Sequence, residues 1–315
     1  MQRSMARIIG TGRAVEICLL AATVLATSAC KKETELIPDN QAPDYAGVPT
    51  VITQNYVNRL FIDLIGREPL DVEMDAEVAA LEAASLSMGS REALVNKLMT
   101  STAYVEGDSS YKQAYYQRQY ELYKSRCLEG ASDDIIDEAI HVAEQDALDD
   151  SLSGNTQGLG EANSALQRLR NLKNSRVNYM NGLVGIDDVM GYMVLNSIYD
   201  QINMNTFNFI NATFDNLLLR FPTSAEFNSG FDMVENNAPG ILFTQSGQNK
   251  GDYVGILTGT TEFEEGMVRW SYRTFMGREP STYEVYTAMS SFHTDLDLQR
   301  MQRAILTSDE YANIN

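Results

Sequence analysis

The chain has 315 residues, 44% of them hydrophobic and 21% charged, the make-up of a folded globular protein rather than a disordered or collagen-like one. Lys and Arg number 24 against 43 Asp and Glu, a net charge of −19, which argues against a nucleic-acid-binding face. Two His and three Cys leave no material for His-rich metal sites, paired zinc knuckles or a disulfide scaffold.

Residues 1–29 carry Arg3, Arg7 and Arg13, then an apolar run from Ile17 to Leu25, then Thr27-Ser28-Ala29. A basic start, a short apolar stretch and small residues at a cleavage point describe a secretory signal. The run is too short for a membrane span, which needs about 20 apolar residues. With Cys30 directly after the small residues, the segment resembles a bacterial lipobox. Glu16, at the start of the apolar region, and Thr27, where Leu is commonest, depart from that pattern. The resemblance implies a lipoprotein whose Cys30 is diacylated on sulfur, with palmitate-type chains, and becomes the mature N-terminus. Residue 31 is Lys rather than Asp, so the usual inner-membrane retention signal is missing and a lipid-anchored place in the outer membrane is expected. The acyl chains would hold it there, because so acidic a chain is repelled by anionic head groups. Residues 30–50 contain three of the seven Pro and little apolar periodicity, and read as a tether. With Cys18 in the signal and Cys30 lipidated, Cys127 is left without an internal partner: a lone buried thiol is expected, and an intermolecular disulfide is the alternative.

Three of the other four Pro sit in one pattern: Arg67-Glu68-Pro69 followed by Glu73, Arg220-Phe221-Pro222 by Glu226, and Arg278-Glu279-Pro280 by Glu284. An apolar, helix-like run precedes each: YVNRLFIDLIG, FINATFDNLLL and VRWSYRTFMG. Each is followed, about 30 to 40 residues later, by a Thr-containing turn ending in an aromatic residue: Tyr104, Phe263 and Tyr311. Such recurrence predicts internal repeats, here 51–104, a degenerate copy at 206–265, and 266–315. Gly66 and Gly277 stand where a helix ends in a left-handed residue, and Pro marks a sharp stop. Thr223 to Glu226 and Ser281 to Glu284 read as capping boxes. In copy one Leu70 occupies the cap position, so Asp71 is expected to substitute one residue later.

The unit is similar to two helical families. Copy three, through Gly277-Arg278-Glu279-Pro280 and Ser308-Asp309-Glu310-Tyr311, resembles the phycobilisome-linker-like repeat of large bacterial surface proteins. Copy one, through NRLFIDLIGREP and LVNKLMTSTAY, resembles a helical domain of unknown function that accompanies c-type cytochrome modules. The resemblance covers about half of the chain and implies no catalytic residues. No Cys-x-x-Cys-His occurs, so no haem is implied for this chain.

Between copies one and two lies an insertion, 105–205. Helices are predicted at 111–126, 133–150, 162–180 and 189–202, with 154–160 as loop and Asn181-Gly182 as a turn. No strand-like alternation persists. The predicted fold is all-α: a helical-repeat body of three Arg-x-Pro helix-turn-helix units with a helical insertion.

Glu138 and His141 have the Glu-x-x-His spacing of di-iron carboxylate bundles, in which both side chains leave one helical face. Such sites need a second pair, and His293 follows Ser290 rather than a Glu, so a solvated acidic face is the expected role. Asp295 and Asp297 flank His293 without the spacing of a calcium-binding loop. No metal and no cofactor are expected. Nucleophile-elbow, zincin and phosphate-loop signatures are missing, and no enzyme is indicated. The candidate ligand or partner surface is the stripe Tyr111, Tyr115, Tyr116, Arg118, Tyr120 and Tyr123; the competing role of the tyrosines is packing between helices. The expected function is a non-catalytic, outer-membrane-anchored lipoprotein that binds a protein partner or assembles an envelope complex. The alternative is a glycan- or peptide-binding lipoprotein using the Tyr-rich helix.

Overall fold

The computed structural model describes residues 48–314; the signal segment, Cys30 and most of the tether lie outside the described residues. The fold is all-α. Among the described residues there are fifteen α-helices and one two-stranded hairpin.

Copy one is built from α1 (Thr50–Leu60), α2 (Asp71–Ala83) and α3 (Met88–Thr100), and the insertion opens with α4 (Tyr111–Cys127). A π-turn, Phe61–Ile65, prolongs α1 and ends at Gly66 with φ +86°, a conformation that disfavours any side chain. The insertion continues as α5 (Asp133–Ser153), α6 (Thr156–Met180), α7 (Ile186–Val194) and α8 (Ser197–Asn203). Copy two consists of α9 (Thr206–Leu218), α10 (Ser224–Val234), the hairpin β1 (Gly240–Leu242) and β2 (Gln245–Gly247), α11 (Lys250–Thr258) and α12 (Thr261–Met276). That last helix is also the first of copy three, which adds α13 (Thr282–Asp295), α14 (Leu298–Leu306) and α15 (Asp309–Ala312).

Several boundaries differ from the sequence expectation. Residues 156–160 belong to α6 rather than to a loop, because Asn155 caps the helix through Gly158 N–H. The single helix expected at 189–202 is two, divided at Asn196, whose side chain caps α8 through two backbone N–H groups. The hairpin was not anticipated; Phe243 and Thr244, both at positive φ, form its two-residue turn, with Leu242 facing Gln245. In copy one the cap residue is Leu70, not Asp71, and Leu cannot reciprocate the bond its N–H makes with Glu73.

The core runs continuously from copy one through α4 to copy three. Its ends are fastened to each other. Tyr56 donates to the Leu306 carbonyl, the Tyr311 hydroxyl to Asp63, and the Arg59 guanidinium lies 4.0 Å over the Tyr311 ring. Arg91, buried, reaches Ser308 O and Asp309. Copies two and three share a close crossing of α9 and α12, where a Cβ on Gly266 would stand 2.5 Å from the Leu217 carbonyl oxygen.

Candidate functional site

The repeated motif folds three times into the same clasp. Arg67 forks onto Glu73 at 2.7 and 2.9 Å, Arg220 onto Glu226 at 2.9 and 2.7 Å, and Arg278 onto Glu284 at 3.0 and 2.7 Å. Bidentate pairing of this kind fixes direction as well as distance. Each Arg also donates to the carbonyl of the next residue, which turns the chain at the Arg-x-Pro step. Each Glu in turn accepts from the N–H of the cap residue, Leu70, Thr223 or Ser281, and so closes the following helix start.

Two further parts of the clasp come from residues the motif does not contain. An aromatic ring six positions before each Arg lies under its guanidinium: Phe61 at 5.6 Å, Phe214 at 5.1 Å and Tyr272 at 5.5 Å. A second carboxylate arrives from just past copy one and from near the ends of the other two: Asp108 on Arg67, Glu262 on Arg220 and Glu310 on Arg278. The helix end before each Arg is left-handed in all three copies, at Gly66, Leu219 and Gly277. Arg220 holds the Glu226 carboxyl at about 2, and Arg278 holds Glu284 at about 2 as well. For Glu73 burial pulls upward, but the bonds from Arg67, Tyr111 and the Leu70 N–H together keep it below the ordinary value. Every charge at these clasps is engaged internally, so Gly66, Arg67, Pro69, Glu73, Arg220, Pro222, Glu226, Gly277, Arg278, Pro280 and Glu284 serve the fold.

Copy one departs in its turn. Phe263 and Tyr311 are buried, whereas Tyr104 is 80% exposed and its turn supplies no carboxylate. The clasp is completed four and seven residues further on, by Asp108 and by Tyr111, whose hydroxyl reaches Glu73 at 2.7 Å.

The expected tyrosine surface is corrected by the structure. Tyr111, Tyr115, Tyr116, Tyr120 and Tyr123 are all buried, and Arg118 is half-buried against Gly66. The reason is the position of α4, which is packed by α3, the π-turn, α6 and α7 on different sides. Tyr115 donates to Gln302 at 2.8 Å, Gln302 donates to Gln119 at 2.9 Å, and Tyr123 donates to the same Gln119 oxygen. This buried chain satisfies the hydroxyls of Tyr115 and Tyr123, while the Gln119 amide nitrogen is buried without a partner. Burial also pushes the Cys127 thiol up to about 12, so it is an inert core group in this environment.

His141 and Glu138 are exposed on α5. His293 Nδ1 lies 2.6 Å from Glu264, while Asp295 pairs with Arg300 and Asp297 caps α14. Among the described residues no group of three or more His, Cys, Asp or Glu side chains converges on one point.

What remains open is a groove of about 590 Å³ between α5, α6 and α8. Its apolar lining is Ile135, Ala139, Val142 and Ala143 from α5, Ala165 from α6 and Ile198 from α8. Ile135 and Val142 are about half exposed, at 51% and 49%. Asp134, Glu138 and Asp146 rim it, and among the described residues none of the three has an ion-pair partner. The opposite side of α5 behaves differently: Asp137 pairs with Lys173, and Glu144 with Arg170 at 2.8 Å, both on α6. A smaller hollow lined by Leu128, Ala131 and Ile202 shares Ile135 and Ile198 and continues the groove. A separate cavity of about 290 Å³ lies between α12, α13 and α14, with Arg300, Ser291 and the exposed Tyr283 in its wall.

No protein-family model, curated protein or solved structure matches this chain.

Proposed function

We propose that the chain is a non-catalytic, lipid-anchored lipoprotein of the outer membrane that acts as a binding or assembly subunit of a cell-envelope complex. The observation that carries this reading is the open apolar groove with an acidic rim on α5, in a body whose other motif charges are internally paired. Unpartnered apolar side chains framed by charge are what a protein-binding face requires. The lipobox-like segment ending at Cys30 supports the anchor, and no helix among the described residues is long and apolar enough to cross a membrane.

The test is affinity purification of the tagged, full-length protein from gently solubilised native membranes, with cross-linking and mass spectrometry. A stoichiometric protein partner, together with incorporation of labelled palmitate that Cys30→Ala abolishes, is the expected result. Unlabelled protein that emerges alone would overturn it. A glycan- or peptide-binding role would use the cavity lined by Tyr283 rather than the buried tyrosines of α4. Selective glycan binding lost in Tyr283→Ala would favour that second reading.

A further inference from the structure

Resting on the assembly reading above, we infer that the groove between α5 and α8 receives a cationic amphipathic helix of about three turns from a partner protein. The shape of the occupant follows from the spacing of the wall. Ile135, Ala139 and Val142 stand at i, i+4 and i+7 on α5, the seam that one helix offers to another. Ala139, Ala143 and Ala165 keep the lining low, so that a second helix axis can approach to the 8–10 Å typical of helix packing. From Asp134 to Asp146 the seam runs about 18 Å at 1.5 Å per residue, the length of some three helical turns.

The charge of the occupant follows from the rim. α5 carries eight acidic side chains and no Lys or Arg, and the ones turned toward α6 or Lys124 are neutralised there. Asp134, Glu138 and Asp146 face the groove without a cation. A helix with apolar residues on its inner face and Lys or Arg along both flanks would complete that pattern, with the flanking charges setting its direction and register. An anionic membrane surface would be repelled by the same rim, and a second copy meeting groove to groove would oppose like charges.

The closing experiment uses the full-length protein and a designed probe. A 14-residue helical peptide with Leu and Ala on one face and Lys on the other is titrated by fluorescence anisotropy. It is compared with a scrambled peptide of equal composition and with its Glu-for-Lys counterpart. Binding at least tenfold tighter than the scrambled peptide is expected. At least tenfold should be lost in Glu138→Lys/Asp146→Lys, and nothing in Asp75→Lys/Glu82→Lys on α2, which reverses as much charge elsewhere on the surface. Equal binding of the scrambled peptide, or indifference to the groove variant, overturns the inference. The membrane purification is run in parallel with the groove variant. A partner kept by both wild type and variant places its docking elsewhere and overturns this inference while the assembly reading stands. A partner found with neither overturns the assembly reading itself. Cross-links from the groove to residues 1–47 or to a second copy name a different occupant and also overturn it.

Discussion

The three clasps and the α5–α6 hairpin use the same residue types to opposite ends. At the clasps, carboxylates are consumed: each Arg takes one Glu from the next helix and one acid from at or just past the end of its repeat. On α5, carboxylates are consumed on one side only, by Lys124, Lys173 and Arg170, and left facing a groove on the other. Charge closes helix ends in the frame and remains available on the hairpin. An acidic composition therefore says little about function until each acid's partner is known.

This contrast is sharpest under mutation of the core and the clasps. Tyr123→Ala, which empties a fully buried ring site on α4, is expected to cost about 3–5 kcal/mol in denaturant unfolding. Arg67→Ala should cost about 2–3 kcal/mol, less than a fully buried pair, because it strands the buried Glu73 while the Arg itself is only partly covered. Arg278→Ala should cost less than Arg67→Ala, since both of its partners are more exposed. A frame insensitive to all three clasps would remove the structural role assigned to them.

Acid separates the regions in a second way. Glu226 and Glu284 have folded values of about 2, below the unfolded value of about 4.3, so their pairing stabilises the fold fully above that unfolded value. The contribution is lost as pH falls through about 2. The gap in melting temperature between wild type and Arg220→Ala should therefore be constant from neutral pH to about 5, and close as pH approaches 2. Gly277→Ala, at φ +67° in an open position, should cost about 1 kcal/mol. The groove variant Glu138→Lys/Asp146→Lys should stay within about 0.5 kcal/mol of wild type, because its side chains are exposed and unpaired. A large loss there would make α5 part of the frame.

Much of the frame was legible in the chain. Pro after Arg, Glu four residues beyond Pro and Gly at the helix end are short-range signals, and the fork between Arg and Glu needs only six residues of chain. Asp108, Glu262 and Glu310 were not legible as partners because they come from at or just past the far end of each unit. Leu219 hid the left-handed helix end that Gly marks in the other copies. The tyrosine stripe misled for a physical reason: rings at 111, 115, 116, 120 and 123 cover more than one face of a helix. That is the pattern of a helix surrounded by neighbours as much as of a platform. The groove was obscured by acids, since Ile135 and Val142 stand among eight carboxylates and only the packing of α8 turns them into a wall. Of the Glu-x-x-His pair, Glu138 stands on the groove rim and His141 is exposed on the same helix.

The division between a closed frame and an open hairpin is tested most directly by photo-cross-linking in intact cells. A photoreactive residue is placed at Ile135 or Val142 in the groove, and at the more exposed Val72 on α2. The account predicts cross-links to a distinct partner protein from 135 and 142, none from 72, and their loss on Glu138→Lys/Asp146→Lys. Cross-links from 72 alone, or groove cross-links indifferent to the rim charges, would contradict it.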